Sequence, residues 1–114
     1  MSATPRILVV DTDPALRGLL EEWLEPQGYR VVESGEADLV VVDIASPRRE
    51  GCGVLQRIAR EHPRAPRLLL SSSIFPGVDC CGPVARDLGV AGVLPKPVSR
   101  EALLDAVQRL TGGQ

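Results

Sequence analysis

Residues 6–10 (RILVV), 39–42 (LVVV), 67–70 (RLLL) and 91–94 (AGVL) are four short aliphatic runs in which apolar residues follow one another without polar alternation. A strand with one face in water alternates. A strand covered on both faces does not, and unbroken aliphatic runs of this length are how parallel strands between two helical layers read. The segments between the runs have helical spacing. Asp13-Pro14 joins a capping residue to a proline at the first turn, and Leu16, Leu19, Leu20, Trp23 and Leu24 then fall on one face up to Pro26. A second helix over 53–61 gathers Val54, Leu55, Ile58 and Ala59 and stops before Pro63. A weaker one over 79–88 is limited by Pro83, and a last one, capped by Ser99, carries Leu103, Leu104, Val107 and Leu110 before Gly112-Gly113. Strands alternating with helices predict an α/β domain of three layers with a parallel sheet in the middle.

One unit breaks the alternation. Residues 29–34 (YRVVES) read as a second strand, yet only Gly35, Glu36 and Ala37 separate it from Asp38 and the next aliphatic run. A parallel crossover ordinarily takes about a dozen residues or more, so the helix expected here is missing. The expectation is a stunted, irregular edge strand; a local hairpin over 30–42 and pairing with another subunit are the alternatives. An exposed edge at this place invites contact between chains, and the expected state is a monomer or weak dimer.

At 114 residues the chain has room for one domain, expected over 1–114 with its core at about 6–111. Hydrophobic residues at 44% and charged residues at 25% are ordinary globular values. A net charge of −2, no basic stripe and a single Tyr, Phe and Trp argue against nucleic-acid contacts. Neither a secretory signal nor an apolar run of membrane-spanning length is present, which points to the cytoplasm. Cys52, Cys80 and Cys81 form no C-x-x-C pair, and they read as reduced thiols.

In a parallel α/β sheet, sites form at the carboxyl ends of the strands. The residues there are Asp11, Thr12 and Asp13 after the first strand, Asp43 after the third, Ser71 to Ser73 after the fourth and Lys96-Pro97 after the fifth. Carboxylates, a hydroxyl and an ammonium therefore converge on one edge. Crowded carboxylates call for a cation, and an all-oxygen set suits Mg²⁺ better than a softer metal. Next to such a cation a carboxylate can act as nucleophile towards a phosphoryl group, with lysine and hydroxyl stabilising the transferred oxygens.

The runs ILVVDTDPALRGLL, ADLVVVDIASPRREG, PRLLLSS and GVAGVLPKPVSREALLDAV, with Pro47 and Gly51 after Asp43 and the late Leu94-Pro95-Lys96-Pro97, resemble the response-regulator receiver family in order and over nearly the whole chain. The resemblance implies a flavodoxin-like sandwich with strand order 2-1-3-4-5. It implies that Asp43 accepts a phosphoryl group from a histidine kinase or phosphotransfer protein, that Asp11, Asp43 and the Ala45 backbone carbonyl bind Mg²⁺, and that Ser71 and Lys96 contact the phosphate. It further implies a downstream protein partner or a fused output domain, meeting the chain at 79–88 and 99–110, and no enzymatic activity beyond self-phosphorylation and dephosphorylation at Asp43.

The chain departs from the family in three places. Thr12 stands where a second acid is usual, which lowers the expected affinity for Mg²⁺. Val93 stands at the position of the family's aromatic switch residue, and the second helix is missing. These departures keep open a degenerate receiver that acts as a phosphorylation-independent interaction module. Asp11-Thr12-Asp13 followed by Ser71 and Lys96 also resembles the haloacid-dehalogenase phosphatases, with Asp11 as nucleophile and Asp13 as acid-base. That alternative leaves Asp43, Pro47 and Gly51 unexplained and lacks an acidic pair after Lys96.

Overall fold

The aliphatic runs occupy the interior of one five-stranded parallel sheet. The structure, a computed structural model, describes residues 4–10, 14–44, 51–71, 90–96 and 98–111, without the side chains of 51, 52 and 54. The strands are β1 (Arg6–Val10), β2 (Arg30–Val32), β3 (Leu39–Asp43), β4 (Arg67–Ser71) and β5 (Gly92–Pro95). Their order in the sheet is β2-β1-β3-β4-β5, as the flavodoxin-like reading expects. Three α-helices lie within the described residues: α1 (Pro14–Leu24), α2 (Gly51–Glu61) and α3 (Arg100–Leu110). The weaker helix expected over 79–88 falls outside the described residues.

Side-chain alternation along the buried strands divides the core in two. Ile7, Val9, Leu39, Val41, Leu68, Leu70 and Leu94 face one layer, built by Leu16, Leu20 and Leu24 of α1 and by Leu103, Ala106 and Val107 of α3. Leu8, Val40, Val42, Leu69 and Val93 face the other, where Leu55 and Ile58 of α2 meet them. Continuous apolar runs are therefore required, because successive aliphatic residues in them pack on one helical layer and then the other.

One expectation is corrected, and the stunted edge strand is found as expected. On α1 the buried stripe is Leu16, Leu20 and Leu24 at four-residue spacing, and Leu19 is 41% exposed. Trp23, on the flank of that stripe, is half-buried and packs on the core. The second strand is shorter than 29–34 but regular, and no hairpin forms: Arg30, Val31 and Val32 pair in parallel with Arg6, Ile7 and Leu8. Tyr29 is instead the landing point of the turn that ends α1. Gly28 there has φ of 95°, and the Tyr29 N–H donates to the Leu24 carbonyl at 3.2 Å. That left-handed backbone is one that glycine adopts without a Cβ penalty.

The register explains how six residues, 33–38, replace a crossover helix. Val32 is level with Leu8, and Leu39 is level with Ile7 on the opposite side of β1. Having climbed only three residues, the chain returns by one residue and crosses a single strand, a lateral step of roughly 10 Å. The strap is pinned at both ends. Glu33 forms an ion pair with Arg17 of α1. At the far end the Asp38 carboxylate accepts from the Arg6 N–H at 2.8 Å, while the Asp38 N–H donates to the Arg6 carbonyl, also at 2.8 Å. Ala37 packs against the α2-side core, and Val10 and Val32 are left half-buried where a helix would have covered them.

Candidate phosphoryl-acceptor site

Asp43 is the last residue of β3 and Ser71 the last of β4, so both are strand-terminal rather than in the loops that follow. The register places Asp43 beside Leu70 and Ser71 beside Pro95. Lys96 comes next, and its N–H donates to the Ser71 carbonyl at 3.1 Å, carrying the β4–β5 ladder one step past Pro95, which has no N–H to give. From there the lysine reaches over the end of β4 to β3. Its Nζ donates to Asp43 Oδ1 at 3.0 Å and to Oδ2 at 2.9 Å.

The environment gives this pair its weight. The Asp43 side chain is 11% exposed and that of Lys96 is 29% exposed, so the carboxylate sits mostly under the edge while the ammonium retains some water. Two charge-assisted hydrogen bonds to one carboxylate are stronger than neutral ones and fix its orientation. Ser71, fully buried, ends β4, the strand between those that carry them. An aspartate so held has a cation beside it.

Three sequence-predicted site residues are thus brought together: Asp43, Ser71 and Lys96. Asp11, Thr12, Asp13, the Ala45 carbonyl, Pro47 and Pro97 lie outside the described residues. Of the ligands expected for a hard cation only Asp43, which contributes carboxylate oxygen, lies within the described residues, and among those residues no cluster of three or more His, Cys, Asp or Glu is found. Sequence reasoning did not anticipate that Lys96 grips both Asp43 oxygens. The signal was available in the strand order, since a lysine following β5 has only β4 to cross before it reaches β3.

No family model matches the chain. Among solved structures it is similar to a response regulator from Thermotoga maritima (TM-score 0.75, 22% identity, 96% of this chain and 99% of that one). It is also similar to the receiver domain of the sensor histidine kinase PA1611 from Pseudomonas aeruginosa PAO1, which holds a magnesium ion in its active-site cleft (TM-score 0.70, 24% identity, 96% and 99%). In sequence it is 32% identical over 116 residues to the DNA-binding transcriptional regulator NtrC of Bradyrhizobium sp. (strain RP501 Parasponia), covering 90% of this chain and 23% of that protein. The chain thus spans about a quarter of the length of that relative. The parallel sheet with strand order β2-β1-β3-β4-β5 and helices on both sides defines a flavodoxin-like fold. In fold and in sequence the chain is similar to the receiver domains of two-component response regulators.

Proposed function

We propose that Asp43 is the phosphoryl acceptor of this receiver domain. The observation that carries the reading is the double hydrogen bond from Lys96 Nζ to the nine-tenths-buried Asp43 carboxylate. In the transfer, an Asp43 oxygen attacks phosphorus, the P–N bond of a donor phosphohistidine breaks, and the departing imidazole nitrogen takes a proton. Lys96 moves its charge from the carboxylate to the phosphoryl oxygens, and the Ser71 hydroxyl donates to one of them. Asp11, Asp43 and the Ala45 carbonyl would hold Mg²⁺, which supplies further neutralisation of those oxygens. The magnesium described in the active-site cleft of the PA1611 receiver supports Mg²⁺ as the cation of such a cleft.

The partners that fit are a histidine kinase or phosphotransfer protein upstream and a downstream protein or fused output domain, with chemistry confined to Asp43 and no nucleic-acid contact from this domain. A cytoplasmic place and one domain over 1–114 complete the reading; among the described residues no helix is long and apolar enough to cross a membrane. The sequence favours one second reading, a phosphorylation-independent interaction module, through Thr12 in place of an acid and the aliphatic Val93, which is fully buried.

Titration with beryllofluoride and Mg²⁺, followed by ¹⁹F NMR, separates the two. Saturable binding that is lost in Asp43→Asn is the expected result. No binding to the wild-type chain at millimolar Mg²⁺ sinks the acceptor reading and leaves the interaction module.

A further inference from the structure

We propose that the face left open by the missing crossover helix docks a second copy of this chain, the two copies meeting about a two-fold axis along the groove between the strap and α2. The inference does not depend on the reading of Asp43. The strap puts six residues, 33–38, where a helix is expected, and it covers the sheet incompletely: Val10, Val32 and Ala37 remain half-buried. Between the strap and α2 lies a cleft of about 260 Å³, with Leu8, Val10 and Ile58 as its apolar floor, Ser34 and Gly35 on one side and Arg57 on the other. A wider cleft of about 580 Å³ shares Glu61 and His62 with it and runs towards the start of β1, between Glu36 and Arg64.

The two walls of this groove carry opposite charge. The strap wall has Glu33, Glu36 and Asp38 against Arg6, and the α2 wall has Arg57 and Arg64 against Glu61. Glu33 is taken up by Arg17, and Asp38 accepts from the Arg6 N–H. Glu36, Arg57 and Arg64 are exposed, and among the described residues none of the three has an ion-pair partner. A partner of one charge sign would be drawn to one wall and repelled by the other. A copy of the same face, turned about an axis along the groove, sets a basic wall against each acidic one, and every contact is made twice. The same rotation brings the two apolar floors face to face and takes Val10 and Val32 out of water. Exposed charges make up much of this contact, so the dimer is weak and salt-sensitive.

The test is analytical ultracentrifugation of the full chain from micromolar to millimolar concentration, at about 0.05 and 0.5 M salt. Wild type is expected to form dimers whose dissociation constant rises several-fold at the higher salt. Glu36→Lys should raise that constant about tenfold or more, and so should Arg57→Glu combined with Arg64→Glu, because like charges then face each other twice. An equimolar mixture of the two reversed proteins should recover association as a heterodimer, a result that damage to either fold does not produce. A wild type that stays monomeric at millimolar concentration overturns the proposal, as does association that continues past the dimer. Dimers that survive either reversal place the contact elsewhere, at the β2 edge or at Leu19, and overturn it too. So does a mixture of folded reversed proteins that stays monomeric. Should a reversed protein fail to fold, Glu36→Gln and Arg57→Gln with Arg64→Gln take its place, and an unchanged dissociation constant in either overturns the proposal.

Discussion

Lys96 Nζ and both carboxylate oxygens of Asp43 form a closed pair, at 3.0 and 2.9 Å, spanning from the end of β5 over β4 to the end of β3. The pair links residues 53 positions apart and depends on the strand order for its existence. On the proposed reading it holds the nucleophile still and keeps the charge that would stabilise the transferred group within reach. The same contact would then serve the resting fold and the chemistry.

Replacing that ammonium by an apolar chain of similar length separates the two roles. Lys96→Met is expected to slow phosphorylation by a small-molecule phosphodonor by about 10²–10³-fold, as for loss of a preorganised donor at a charge-developing centre. It is also expected to destabilise the fold by about 1–3 kcal/mol, because a mostly buried carboxylate loses its partner. Adding Asp43→Asn to Lys96→Met should recover part of that loss, so the double variant is more stable than the sum of the singles. Urea titrations of the four proteins measure the coupling, and additivity would mean that the pair contributes nothing to the fold.

The two leucines that adjoin on α1 should behave oppositely. Leu20 is fully buried between α1 and the sheet, and Leu20→Ala is expected to cost about 2–5 kcal/mol. Leu19 is the one large hydrophobic residue recorded as exposed among the described residues, and Leu19→Gln should fall within about 0.5 kcal/mol of wild type. Thermal or urea unfolding of both variants checks the pair, and a large loss for Leu19→Gln would show that this surface is covered in solution.

That contrast marks what can be read from sequence. The four aliphatic runs disclosed the buried strands because burial on both faces leaves no polar alternation, and their polar ends disclosed Asp43, Ser71 and Lys96. Periodicity could not rank Leu19 below Leu20, since both lie within the same broad stripe and only the position of α1 over β1 decides between them. Nor could it settle β2. Crossover length is a rule for full-length strands, and it relaxes when the strand stops level with Leu8, a fact that depends on register. The grip of Lys96 on Asp43 needed the strand order, which local pattern alone does not contain.

The strap over 33–38 should be a measurable part of the stability. Asp38→Ala removes the acceptor for the Arg6 N–H while the backbone bond from Asp38 to Arg6 remains available, and a loss of about 1–2 kcal/mol is expected. Gly35 has φ of 93°, and a Cβ there meets nothing within 4 Å, so Gly35→Ala should cost about 1–2 kcal/mol from backbone conformation alone. Both variants should lower the urea midpoint without changing the slope, since the same surface is exposed on unfolding. A changed slope would mean that the strap holds β2 on the sheet and that its loss frees the edge.

The phosphatase alternative makes the sharpest demand on the acids. If Asp11 were the nucleophile and Asp13 the acid-base, a generic aryl phosphate would turn over with Mg²⁺, Asp11→Asn would abolish turnover, and Asp43→Asn would leave it intact. The expected outcome is different. The Asp43 carboxylate is the one gripped by Lys96, and Ser71 ends the neighbouring strand, so the cation that a phosphoryl group needs is already at Asp43. Aryl phosphate should therefore show no catalytic turnover. Beryllofluoride binding should vanish in Asp43→Asn, and in Asp11→Asn it should persist with a weakened dependence on Mg²⁺, as for loss of one carboxylate ligand among several. Steady hydrolysis by Asp43→Asn that stops in Asp11→Asn would move the nucleophile from β3 to the end of β1.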